Sequence, residues 1–281
     1  MRLGYLGPAG TFSEEALRAT PDAEGAQLVP FTSIHDAVMA VVSGDVDRAL
    51  VPIENSLEGA VNATLDALTF GTREVAIVGE TVLPIHNCLI AARPLEPAEI
   101  EVVVSHPQPL AQCARFLRAE LPGAELRAAT STADAVRTVA ASDAPWAAIG
   151  TRLAASLYGA RVLRDGIEDD PDNATRFVWL AHAGAPPPAS TASARDWKTS
   201  IVFAGAGDAS PGWLVRCLSE FAFRGVNLTK IESRPRRRQL GHYLFLADLQ
   251  GRADEPPVAD AIAGLHAHCE EVRVLGTYPA A

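Results

Sequence analysis

The sequence predicts an α/β protein in two parts: a two-lobed domain, then a smaller βαββαβ domain of ferredoxin-like plan. Three observations carry this. Up to about residue 180, β-rich runs alternate with helix-periodic segments, and polar clusters follow the strands. Residues 182–197, rich in Ala, Pro and Ser, read as a linker. Beyond them the order is strand, helix, strand, strand, helix, strand. A strand over 174–181 is expected to return to the first lobe. Lobe one then spans about 1–80 plus 174–181, lobe two about 81–173, and the C-terminal domain 198–281.

The elements follow in order. Leu3 to Leu6 is a strand running into Gly7-Pro8-Ala9-Gly10-Thr11-Phe12-Ser13-Glu14. Thr11 and Glu14 are spaced as a capping box, so a helix starts there with its amides facing a Gly-rich loop, a ready anion-binding end. The loop fits neither a Walker A motif nor Gly-x-Gly-x-x-Gly. Ile34 to Val42 is an amphipathic helix and Arg48 to Ile53 a buried strand. Glu54-Asn55-Ser56 then caps a helix from Leu57 to Leu68. In lobe two, strands at Asn87 to Ala91 and Ile100 to Val104 lead to Ser105-His106-Pro107-Gln108-Pro109 and a helix from Leu110 to Leu121. Ser131 to Asp134 caps a helix ending near Ser142; Trp146 to Gly150 is a strand and Thr151 to Tyr158 a short helix. An acidic loop, Asp165 to Asp172, delivers Asn173-Ala174-Thr175-Arg176-Phe177 at the mouth of the returning strand.

In the C-terminal domain, Ser210 and Pro211 start a helix whose apolar stripe is Leu214, Cys217, Leu218 and Phe221. Its exposed sheet edges suit pairing with a second copy, giving a dimer or tetramer.

Composition narrows the function classes. The 281 residues are 48% hydrophobic and 21% charged, ordinary for a soluble globular protein. No segment is apolar for long enough to be a signal-peptide core or to span a bilayer. Cys88, Cys113, Cys217 and Cys269 are far apart in sequence, which fits reduced thiols in a cytoplasm rather than a disulfide framework or zinc ribbon. The net charge of −10 argues against nucleic acid as a partner. Only Lys198 and Lys230 are lysines among 24 basic residues. Ser105 beside His106 is no dyad, His266 and His268 face different ways on a helix, and Arg236-Arg237-Arg238 reads as a solvated hairpin tip.

Five segments together resemble the prephenate dehydratase family: GPAGTFSEEA (7–16), VPIENSLEGAV (51–61), SHPQPLAQC (105–113), NATRF (173–177) and GVNLTKIESRP (225–235). The resemblance implies a periplasmic-binding-protein-like catalytic domain followed by an ACT regulatory domain. It is to the monofunctional form, without a chorismate mutase domain. It implies conversion of prephenate to phenylpyruvate, carbon dioxide and water, with no cofactor and no metal. Thr175 would donate to the leaving hydroxyl, and Phe177 would shield the ring. Arg176 would anchor a carboxylate or, because alternation points it away from its neighbours, brace the loop. Thr11, Asn55, Ser56 and Asn173 would bind substrate, with Glu54 orienting Asn55 and Ser56, and Ser105, His106 and Gln108 contributing from lobe two. The effector L-phenylalanine would meet Gly212, Trp213 and Leu214 and the segment Glu232, Ser233, Arg234 and Pro235. Trp213 stands where the family has alanine, and its ring would lie in the pocket, on the surface or in a subunit contact. Two alternatives remain open: a relative acting on arogenate, and a non-catalytic two-lobed amino-acid sensor.

Overall fold

A computed structural model describes residues 1–191, 196–205, 210–237 and 241–281. Lobe one begins with β1 (Arg2–Leu6), α1 (Phe12–Arg18), β2 (Gln27–Phe31), α2 (Ile34–Val42) and β3 (Arg48–Asn55). These strands are parallel because each helix makes the crossover that parallel neighbours require. β4 (Gly59–Ala60) folds back on β3; α3 (Asn62–Asp66) and a π turn, Ala67–Gly71, then lead to β5 (Val75–Pro84). In place of the predicted helix from Leu57, Asn55 Oδ1 accepts from the amides of Leu57 and Glu58, at 3.0 Å each, and turns the chain into a hairpin.

Lobe two contains β6 (Cys88–Ala91), β7 (Val102–Ser105), α4 (Pro107–Gln112), α5 (Ala114–Glu120) and β8 (Glu125–Ala128). It continues through α6 (Thr132–Ala140), β9 (Trp146–Gly150), α7 (Arg152–Leu157) and β10 (Arg161–Arg164), in sheet order β10-β6-β9-β7-β8. The helix expected at Leu110 starts three residues earlier. His106 is its N-cap and Pro107 its first residue, where a missing N–H costs nothing. β11 (Ala174–His182) returns to lobe one, antiparallel between β3 and β5. Sheet one is therefore ordered β2-β1-β3-β11-β5.

The chain crosses between lobes at residues 85–87 and 165–173, later than the predicted boundary at 81 because β5 runs on to Pro84. The crossings lie side by side: Ile85 N–H donates to Asn173 O (2.8 Å) and Ile167 N–H to Asn87 O (3.0 Å).

The C-terminal domain comprises β12 (Trp197–Ala204), α8 (Trp213–Ala222), β13 (Leu228–Pro235), β14 (Tyr243–Gln250), α9 (Pro256–Leu265) and β15 (Glu271–Pro279). Its antiparallel order β13-β14-β12-β15 gives the ferredoxin-like plan. One sheet face packs on α8 and α9 through Phe203, Trp213, Phe221, Leu249 and Leu265. The other is not free. Val202, Leu244, Leu246, Leu275 and Tyr278 share a core with Val51, Leu65, Ile77 and Val178 of lobe one. At Gly276 a Cβ would stand 2.1 Å from Ile77 O, so glycine alone permits this approach. The stretch predicted as a linker is tied down too: Asp22 accepts from the amides of Ala189 and Ser190 at 2.8 and 2.9 Å. Residues 192–195 of that stretch, and Arg238 of the arginine run, lie outside the described residues.

Candidate active site

The strand mouth carries a hydrogen-bond relay. Thr175 sits opposite Asn55 in the β11–β3 ladder. Asn55 Nδ2 donates to Thr175 Oγ1 (2.9 Å), to Asn173 Oδ1 (2.8 Å) and to Ala174 O (3.1 Å). The two amide donors on Asn55 Oδ1 fix which end of that side chain faces Thr175. A threonine oxygen that accepts from an amide keeps its own proton free to donate outward. Ser56 joins the corner: its Oγ accepts from Ala174 N–H at 3.0 Å.

Lobe two reaches this relay through Gln112, whose Oε1 accepts from Asn173 Nδ2 at 3.4 Å. Gln112 Nε2 is buried with no partner among the described residues, as are both side-chain polar atoms of Asn87 at the hinge. Buried donors left open in this way are costly unless a ligand or water completes them. Sequence reasoning missed both residues. Gln112 lies inside the quoted SHPQPLAQC segment, four residues after Gln108 and so on the same helix face, a signal that was available.

The Gly-rich loop closes the other side. Thr151 Oγ1 donates to Gly10 O and Tyr158 Oη to Ala9 O, each at 2.7 Å, so the loop is pinned to α7 across the lobes. The expected capping box is displaced by one residue: Glu14 accepts from Gly10 N–H (2.6 Å), and Thr11 Oγ1 donates to Leu6 O (3.0 Å). The Gly10 amide is therefore engaged and not offered to an anion. Behind it, burial raises the pKa of Glu15, against the opposing pull of His86 and Arg152.

Several other predicted residues lie elsewhere. Arg176 faces the opposite side of the sheet, paired with Glu54, Glu80 and Asp248, so it is no carboxylate anchor in the cleft. Glu54 goes with it and does not orient Asn55 or Ser56. Phe177 lies beyond a bulge and is fully buried beside Tyr5 and Trp179 in the lobe-one core, so it does not line an open ring site. Ser105 donates to Ile149 O (2.7 Å), and His106 Nδ1 accepts from Gln108 N–H (3.3 Å) as a helix cap. Burial, with Asp165 beside it, pushes the Cys88 thiol up to about 12, and burial raises Cys113 as well, so neither offers a thiolate.

In the C-terminal domain, Gly212 caps α8 with φ +78°, a left-handed conformation that favours glycine. Trp213 lies in the core of the C-terminal domain. The residue is 6% exposed, and its ring packs against Phe203 and Phe245 and donates from Nε1 to His268 O at 2.6 Å. Leu214 is half-buried beside it. On β13, Glu232 and Arg234 share the sheltered face and Ser233 and Pro235 the exposed one; Arg234 is paired with Asp66 of α3 at 2.9 Å.

A two-lobed α/β domain with an amide–hydroxyl relay at its interlobe hinge, carrying a ferredoxin-like domain, defines a class of small-molecule site. The particular family follows from comparison. Residues 3–185 match the family model for prephenate dehydratase. A prephenate dehydratase of Mycobacterium tuberculosis is 41% identical over 99% of this chain and 87% of its own length. A prephenate dehydratase of Arthrobacter aurescens, solved in complex with L-Phe, is 40% identical, with a TM-score of 0.89 over 99% of this chain and 90% of that one. GqqA, described as a quorum-quenching acylase, is 29% identical with a TM-score of 0.86 over 100% and 98%. The chain belongs to the prephenate dehydratase family.

Proposed function

We infer that this protein is an enzyme, a carbon–oxygen lyase that converts prephenate to phenylpyruvate, carbon dioxide and water in phenylalanine biosynthesis. The observation that carries the reading is the Asn55–Thr175 bond, which leaves the threonine proton free to donate. Prephenate loses its ring carboxylate as carbon dioxide; the electrons of that bond complete the aromatic ring while the C4 hydroxyl departs. A departing hydroxide needs a proton or a strong hydrogen bond, and Thr175 Oγ1 supplies it, replenished from solvent. Gln112 Nε2, an open donor, suits a substrate carboxylate or carbonyl oxygen. Asn173 links it to Asn55. Thr11, Ser56 and Gln108 complete the proposed binding set at the cleft rim. GqqA shows that this backbone also hosts other chemistry, so the reading rests on the site and not on the fold.

The C-terminal unit is read as an ACT regulatory domain that binds L-phenylalanine. Its topology, the Gly212 turn and the Glu232–Pro235 strand support this, together with the L-Phe complex of the Arthrobacter aurescens relative. β13 is a sheet edge with Ile231 exposed, and Tyr243 at the start of the adjoining β14 is exposed too, which supports pairing with a second copy. The test is direct: purified protein should convert prephenate to phenylpyruvate, read by the product's absorbance, and phenylalanine should alter the rate. No product with prephenate as sole substrate would overturn the reading.

A further inference from the structure

Thr175 and Arg176 occupy consecutive rungs of one ladder: Thr175 opposite Asn55, Arg176 opposite Glu54. Alternation sends the rungs to opposite faces. The first is the relay described above. The second lies between lobe one and the C-terminal sheet, where Arg176 Nη1 is 2.9 Å from Glu80 and Nη2 is 2.7 Å from Asp248 and 3.0 Å from Glu54. Lys198 Nζ is 2.6 Å from Glu80. Lys230 Nζ is 3.2 Å from Glu54, an ion pair by distance though not by hydrogen-bond geometry. Ser200 donates to Asp248 at 2.6 Å and shares a 2.8 Å bond with Tyr278 Oη. Three cations balance three carboxylates, and both lysines of the chain are among them.

We infer that Arg176 is a positioning residue through which the C-terminal domain sets the geometry of the Asn55–Thr175 rung, with Asp248 as its contact on the C-terminal side. The inference rests on the function proposed above. A guanidinium is a rigid planar fork, so Arg176 holds Glu54, Glu80 and Asp248 at fixed mutual spacing. The adjoining rung, Thr175 opposite Asn55, carries the site residues. On the β3 side the ladder slips immediately beyond Arg176, between Arg176 and Phe177. β5 pairs with β11 in unbroken register from Ala174 to Trp179, so only the β3 half of these rungs lacks regular pairing on that side. Asp248 belongs to β14, flanked in register by Lys230 of β13 and Ser200 of β12. A shift of β14 against lobe one would separate buried opposite charges unless Arg176 followed, and separating them is strongly unfavourable. Arg176 would then draw Glu54 and the backbone on both sides of the relay.

Asp248→Asn tests this, with Asp248→Asn/Lys230→Gln as a charge-balanced partner that guards against misfolding. In both, kcat on prephenate should fall about ten- to hundredfold with KM within about threefold of wild type. Phenylalanine should still bind by calorimetry but no longer change kcat. Independently of activity, amide hydrogen exchange should quicken at residues 53–58 and 173–178 and stay unchanged in β7. Variants that keep kcat within about twofold and retain the phenylalanine response would overturn the inference. So would unchanged exchange at those two segments. If the wild type fails to turn prephenate over, the proposed function fails by itself, and the exchange comparison alone decides the inference.

Discussion

The two faces of β11 are built to opposite rules. On the back face every carboxylate near Arg176 meets a cation, and burial, which opposes the guanidinium's charge, is outweighed by Asp248, Tyr278 and Glu80, so its pKa is raised. On the cleft face, hydrogen-bonding capacity is left open at the Thr175 proton, Gln112 Nε2 and the Asn87 amide. A charge-balanced network fixes structure; open hydrogen-bonding groups at a cleft leave partners for a ligand. One strand supplies both because its period of two separates them completely.

The largest expected effect breaks the cleft side. Thr175→Ala should lower turnover by about two to four orders of magnitude, the range for a lost positioned donor, and leave the thermal midpoint almost unmoved. Thr175→Ser should retain most of the rate. If Thr175→Ala keeps more than half the wild-type rate, the open face is not where the chemistry happens.

Next comes the domain behind the charge-balanced face. Trp213→Ala removes a ring from a packed core and should cost about 3–5 kcal/mol in denaturant unfolding. An unchanged midpoint would mean the ring is not core. Asn55→Asp should sharpen the comparison with a smaller effect. It keeps the acceptor for Leu57 and Glu58 but loses the donor to Thr175, costing about 1–3 kcal/mol of transition-state stabilisation, or roughly five- to 150-fold in kcat/KM. Equal rates for wild type and Asn55→Asp would remove the relay.

The smallest effect concerns Glu15. Burial raises its folded pKa, so its ionisation opposes folding as pH rises through and above the ordinary carboxylate range. Glu15→Gln should therefore raise the melting temperature at pH 7, with the gain fading as the pH falls below that range. A gain that grows toward acid pH would reverse the assigned cause.

Much of this was legible beforehand. The alternating strand after Asn173 and the βαββαβ order follow from local pattern, whereas Asn55, Asn173 and Thr175 are singled out by the family resemblance of their segments. β5 escaped although its β-branched run is a local signal; most of what else escaped was set by tertiary partners. β8 is exposed along its length and β10 is a short edge strand, so neither shows the burial pattern that marks a strand. Glu14 chooses the Gly10 amide over its expected cap because the turn brings that N–H closer. Trp213 could not be placed without Phe203 and Phe245, which arrive from two other strands. The shared core of lobe one and the C-terminal sheet was hidden for the same reason. Both surfaces read as ordinary sheet faces until they meet.

The central claim is that the open rung of β11, completed by Gln112 from lobe two, is where the substrate reacts. A crystal structure of the protein with phenylpyruvate bound tests it most directly. The account predicts the aromatic ring between the lobes, its para carbon (the former C4) within about 4 Å of Thr175 Oγ1, and a ligand oxygen within about 3.2 Å of Gln112 Nε2. A ligand that touches one lobe only, or that sits on the Arg176 side of the strand, would contradict it.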